Sequence, residues 1–200
     1  MRRIVFGTAL SLVFAAAPAV AQDAASSRLS LEPYVGALND SYDISPDGEK
    51  AALHLGLRLG YDLGARSRLL ADVGYARASD VSNPSGLEDY FVYDNVWALT
   101  TLGAEYDAIP GRTSLALGLR VGAGWRRNDL SGKVGQPTPE QDWYSGGGFT
   151  AIPVAVPSLT LRREVHPRAA LSLTLQDNML DVLEGPVDHS PAVTVGVTLR

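Results

Sequence analysis

The stretch Ala51 to Leu63, AALHLGLRLGYDL, alternates without a break. Ala51, Leu53, Leu55, Leu57, Leu59, Tyr61 and Leu63 share one face; Ala52, His54, Gly56, Arg58, Gly60 and Asp62 share the other. Strict period-2 alternation marks a strand with two unlike sides. Its length narrows the choice further. A strand that crosses a membrane needs roughly 9–11 residues, against about 5–6 in an ordinary sheet. The polar face mixes glycines with one Arg, one His and one Asp, which suits a narrow interior where each long side chain needs small neighbours. The apolar face is continuous and aliphatic, as a lipid-facing strand is.

The amino terminus, MRRIVFGTALSLVFAAAPAVAQ, has two arginines, an apolar run from Ile4 to Ala16 and small residues at Ala19-Val20-Ala21. This reads as a secretory signal peptide over residues 1–21. Residues 22–28 are then a short periplasmic lead-in, and 29–200 the folded domain. The chain has 17 basic and 22 acidic residues; without Arg2 and Arg3 this becomes 15 against 22, a net charge of −7. Such a balance argues against a nucleic-acid partner. Absence of cysteine excludes disulfides and cysteine chemistry. No later stretch approaches the roughly 18 apolar residues of a spanning helix, so a membrane form has to be a closed barrel.

The alternating unit recurs. Strands are expected over Leu29–Leu38, Ala51–Leu63, Arg68–Ala78, Val96–Asp107, Ser114–Arg126, Phe149–Arg162, Ala169–Asn178 and Ala192–Arg200, eight in all. In the sixth, Ile152, Val154 and Val156 have the opposite parity to Leu159 and Leu161, and a bulge near Pro157-Ser158 would restore all five to the same side. Linkers alternate long and short. Long ones run Asn39–Lys50, Ser79–Asn95, Arg127–Gly148 and Leu180–Pro191; short turns fall near Ala65, Gly111 and His166. The long linkers hold 14 acidic residues against Lys50, Arg127 and Lys133, whereas Arg66, Arg68, Arg112, Arg163 and Arg168 flank the short turns. One rim is acidic and the other basic. These features predict an all-β fold, an eight-stranded antiparallel up-and-down transmembrane β-barrel with the acidic rim outside the cell.

On strand number, loop sorting and glycine-rich inward faces, the chain resembles the small outer-membrane barrels of the OmpA transmembrane domain, OmpX and OmpW group. The closing segment TVGVTLR resembles the assembly signal of such barrels, although the family usually ends in an aromatic residue where this chain has Arg200. The resemblance implies an outer-membrane location, monomeric state, lipid and lipopolysaccharide as surroundings, and assembly by the barrel assembly machinery. The acidic linkers could bridge to lipopolysaccharide phosphates through divalent cations, but a merely solvated rim is the preferred reading.

Glu32, His54, Arg58, Asp72, Glu105 and Arg120 are expected inward as an ion network. Arg58 and Asp72 lie equally far from Ala65 across one hairpin, which makes them the best-placed pair. A gated ion path and a lumen packed shut both follow, and the second is preferred because eight strands leave little bore. Tyr90, Phe91, Tyr93, Trp143 and Tyr144 are expected as extracellular loop contacts. Asp188, His189 and Ser190 follow one another directly and so cannot converge on one reacting atom. Asp47-Gly48-Glu49 lacks the spacing of a calcium loop. No catalytic residue, metal site or cofactor is expected. The functional expectation is a non-enzymatic outer-membrane barrel with an envelope-structural or surface-interaction role. The alternatives are a narrow porin-like channel, a lipid A-modifying barrel or a soluble lipocalin-like carrier, the last disfavoured for want of an apolar lumen.

Overall fold

The computed structural model describes residues 28–40, 50–82, 90–134, 141–146, 148–183 and 187–200. The signal-peptide segment lies outside the described residues. Nine strands are present among them: β1 (Leu29–Asp40), β2 (Lys50–Asp62), β3 (Ser67–Ser82), β4 (Tyr90–Ile109), β5 (Thr113–Val134), β6 (Gln141–Gly146), β7 (Thr150–His166), β8 (Ala169–Leu180) and β9 (Asp188–Leu199). Eight of them close a cylinder in the order β1-β2-β3-β4-β5-β7-β8-β9, and β9 pairs back onto β1 from Leu31↔Leu199 to Leu38↔Ala192. All pairings are antiparallel, and closure removes both sheet edges. The expected eight-stranded up-and-down barrel is therefore the fold.

The alternation sorts side chains as period 2 requires. Leu57 is 42% exposed on the outer wall, while its neighbour Arg58 is 2% exposed in the lumen. The outer wall is a continuous aliphatic band that includes Leu59, Val73, Leu102, Leu119, Leu173 and Val195. Tyr61, Tyr75 and Tyr106 share the same outward face.

Prolines mark interruptions in the ladder, because each lacks an N–H to donate. The β1–β9 register skips Glu32 and Pro33, and the β7–β8 register skips Val156 and Pro157. At the β4–β5 turn Pro110 ends the strand and Gly111 takes φ 149°, a conformation that side-chain-bearing residues seldom adopt.

Two expectations are corrected. There is no bulge at Pro157-Ser158: the β5–β7 register runs unbroken from Thr113↔Arg163 to Arg126↔Thr150. Val154 and Val156 therefore face the lumen, Leu159 and Leu161 face outward, and Arg162 is carried inside. The register shifts of β4 and β7 lie instead near the short turns, at Asp107/Ile109 and Glu164/His166. Secondly, much of the two longest linkers is strand. Ser79–Ser82 pairs with the start of β4, Tyr90–Asp94 with the end of β5, and β6 adds alongside Asp129–Val134. These four segments prolong one side of the barrel beyond its long-linker rim. The ladder continues there because each new pair satisfies two backbone groups that a loop would leave to solvent.

Candidate functional site

The lumen is built in two levels. Its lower and middle part, toward the short turns, holds one connected polar network with a member from every barrel strand. On β1, Glu32 Oε1 accepts from Arg58 Nη1 on β2 at 2.8 Å. Arg58 Nε donates to Asp72 Oδ2 on β3 at 3.1 Å, so the hairpin pair expected from the spacing is formed. Asp72 also accepts from Tyr34 Oη at 2.8 Å and from Arg120 Nη1 on β5. Arg120 Nη2 donates to Gln176 Oε1 on β8 at 2.8 Å, Gln176 passes a bond to Asn178, and Asn178 donates to the Ser190 carbonyl on β9.

A second arm crosses the barrel lower down. Arg162 Nη2 on β7 donates to Glu105 Oε2 on β4 at 2.7 Å. Arg162 Nε lies 3.9 Å from Glu32 Oε2, and that oxygen accepts from Thr198 Oγ1 on β9 at 2.6 Å. Arg68 closes the lower end with Nε 2.6 Å from Asp62 Oδ1. Charges removed from water are tolerated only when paired and hydrogen-bonded. The deep lumen meets this with Arg58, Arg120 and Arg162 against Glu32, Asp72 and Glu105, three of each sign.

Five of the six lumen residues expected from the sequence join this network. His54 is the correction. It is fully buried in the lumen, but neither ring nitrogen has a hydrogen-bond partner. It stacks edge-on against Tyr34, with centroids 5.3 Å apart. Tyr34 in turn needs glycine beneath it: a Cβ at Gly56 would come within 2.2 Å of its ring, and one at Gly74 within 2.9 Å of its hydroxyl. Besides the neutral members Tyr34, Gln176, Asn178 and Thr198, two buried arginines are not among the six. Arg162 alternates with outward Leu161 and follows buried Thr160 at period 2, so it faces inside; an arginine beside a short turn reads as a rim charge in the sequence. Arg68, a rim charge by its place beside a short turn, is buried at the lower end of the lumen.

Above the network lies an apolar layer of Leu38, Ala52, Ala76, Trp97, Leu99, Val154, Val156, Leu180 and Ala192, with Ile152 packed against it. This overturns the expectation of a lumen without apolar contents. The Arg126 guanidinium sits 5.4 Å from the Trp97 ring centroid, at the long-linker side of the layer. Little space remains. A recess of about 230 Å³ opens at the short-turn mouth, lined by Asp62, Arg66, Arg68, Glu105, Asp107 and Arg200 among others. A gap of about 10 Å³ lies where Asp72 and Arg120 meet Leu99 and Val156, near the minimum for one water. The two share no lining residue.

Tyr90, Phe91 and Tyr93 belong to β4, and Trp143 and Tyr144 to β6, so the backbone places them in strands rather than loops. Phe91, Gly132 and Trp143 occupy one row of the register. His189 is likewise in β9, not in a loop, and its Nδ1 lies 2.6 Å from Asp177 Oδ2 on the exposed outer wall. Ser190 points the other way and is buried.

No family model matches the sequence, and no curated protein does. Solved structures do match in fold. Neisserial surface protein A aligns with a TM-score of 0.52 and 17% identity, over 87% of this chain and 97% of its own. A major outer membrane protein from Thermus thermophilus aligns with a TM-score of 0.50 and 11% identity, over 86% and 98% respectively. With strand number, closure, an aliphatic outer wall and a buried ionic lumen all in place, the chain has the fold of the small eight-stranded outer-membrane β-barrels.

Proposed function

We propose that this protein is a non-enzymatic, monomeric outer-membrane barrel, with an envelope-structural or surface-interaction role and no through-channel. The observation that carries the reading is the filled lumen: an ion network with members from all eight barrel strands, roofed by the Trp97–Leu38–Val154–Leu180 layer. A permeating ion would have to break buried pairs and then cross an apolar seal, each step costing several kcal/mol. The exposed aliphatic wall supports burial in lipid, since soluble proteins rarely expose apolar patches beyond a few hundred Å². Names of the matched structures, a surface protein and a major outer membrane protein, support the same compartment. In the outer membrane its surroundings are phospholipid and lipopolysaccharide. Insertion there depends on the barrel assembly machinery. The His189–Asp177 pair faces away from Ser190, which supports a role without Ser–His chemistry between those neighbours. Membrane fractionation with heat-modifiable gel mobility, followed by planar-bilayer recording, tests the proposal. Recovery in the soluble periplasm with no mobility shift would sink the membrane reading; steady single-channel conductance would sink the sealed lumen.

A further inference from the structure

At the short-turn end, four arginines occupy equivalent positions around the barrel, and each is tied down by its backbone. The carbonyl of Arg28, ahead of β1, accepts from Asp62 N–H on β2 at 2.8 Å. The carbonyl of Arg66, in the β2–β3 turn, accepts from Asp107 N–H on β4 at 2.8 Å. Arg112, in the β4–β5 turn, accepts from Glu164 N–H on β7 at 2.8 Å, and Arg168, in the β7–β8 turn, accepts from Arg200 N–H at 3.0 Å. The same bond thus joins each hairpin to the next, with an arginine at every junction. All four residues are exposed, and Arg163 joins them on β7.

Three acidic residues stand at this rim among the described residues, and each has a guanidinium neighbour from outside the set of four. Asp62 pairs with Arg68 at 2.6 Å, Asp107 lies 3.8 Å from Arg162, and Glu164 lies 3.5 Å from Arg200. The rim therefore keeps a net positive ring on a chain that is acidic overall. The ring also has a fixed height. Leu63, Ile109 and Val165, all more than half exposed, end the apolar wall beside the turns. Arg66 lines the short-turn recess, and its Nη1 reaches the outward-facing Tyr106 Oη at 3.4 Å, so this guanidinium extends to the outer wall. An apolar band that stops beside outward tyrosines, here Tyr61 and Tyr106, marks the level at which a bilayer's headgroups begin.

We propose that this arginine collar binds the phosphates of acidic phospholipids in the leaflet at the short-turn rim. The proposal rests on the membrane reading above. Guanidinium suits phosphate because its donors form a planar fork that spans two phosphate oxygens. Spacing the four around the circumference, instead of clustering them, fits several separate headgroups and not one soluble anion.

The test uses the full chain refolded into vesicles holding equal amounts of phosphatidylglycerol and phosphatidylcholine, with the lipids retained on the extracted barrel counted by native mass spectrometry. Wild-type protein is expected to retain phosphatidylglycerol in excess, and the excess should shrink with added salt. The combined variant Arg28→Gln, Arg66→Gln, Arg112→Gln, Arg168→Gln should lose it, since each arginine near a charged surface contributes about fivefold. The junction bonds use backbone carbonyls, so the variant keeps them. Should that variant not reach heat-modifiable mobility, Arg66→Gln and Arg112→Gln singly should each cut the excess by about fivefold. A retained ratio equal to the bulk in wild type, or unchanged in the variants, overturns the collar. Failure of wild type to become heat-modifiable in these vesicles overturns the membrane reading itself.

Discussion

The guanidinium of Arg162 on β7 grips the carboxylate of Glu105 on β4 with two nitrogens, across a lumen in which β5 separates the two strands. Both side chains are nearly inaccessible to water. Removing one partner leaves the other charge buried, which costs about 3–5 kcal/mol. We predict that loss for Arg162→Met and for Glu105→Met in urea unfolding of the vesicle-embedded protein. The double replacement should cost far less than the two single losses together. Additive single losses would mean that the two side chains do not act as a pair.

Tyr34 and Gly56 make a steric prediction. A methyl group at Gly56 has no room while the Tyr34 ring is present. Gly56→Ala should destabilise the barrel by about 1–3 kcal/mol, the range for overpacking. In a Tyr34→Ala background the same change should cost little. An equal penalty in both backgrounds would locate the strain elsewhere.

The two-level lumen predicts an order of opening. Trp97→Ala removes the largest side chain of the apolar layer and should cost about 3–5 kcal/mol. It should not produce conductance, because Arg58, Asp72 and Arg120 still close the barrel below. Adding Arg58→Ala and Arg120→Ala to Trp97→Ala should open a path readable in planar bilayers. Conductance from Trp97→Ala alone would show that the network does not seal.

Orientation is checked by labelling intact cells with an impermeant maleimide. Asp188→Cys, at the long-linker end of β9, should react; Ala65→Cys, in the β2–β3 turn, should react only after the cells are broken. The opposite pattern would invert the barrel and move the arginine collar to the outer leaflet.

Period-2 alternation was enough to establish the eight barrel strands and, except in the first half of β7, their faces, because a one-residue error in parity would put Arg58 or Asp72 in lipid. Adjacent-strand contacts were legible too. Arg58 meets Asp72 because residues equidistant from a tight turn must face each other in an antiparallel hairpin. Tertiary structure alone decided the contacts across the barrel. Arg120 with Asp72, Arg162 with Glu105 and Thr198 with Glu32 join strands that are distant in sequence or not adjacent in the sheet, and no turn sets their register to one another. It also decided which side of β7 is inside. Val154 and Val156 are as apolar as any lipid-facing pair, and a local pattern cannot distinguish an apolar lumen layer from the outer wall. That distinction came from the neighbours of β7: its unbroken register with β5 leaves the two valines facing Trp97 and Leu38, and carries Arg162 to the carboxylate that the interior requires it to meet.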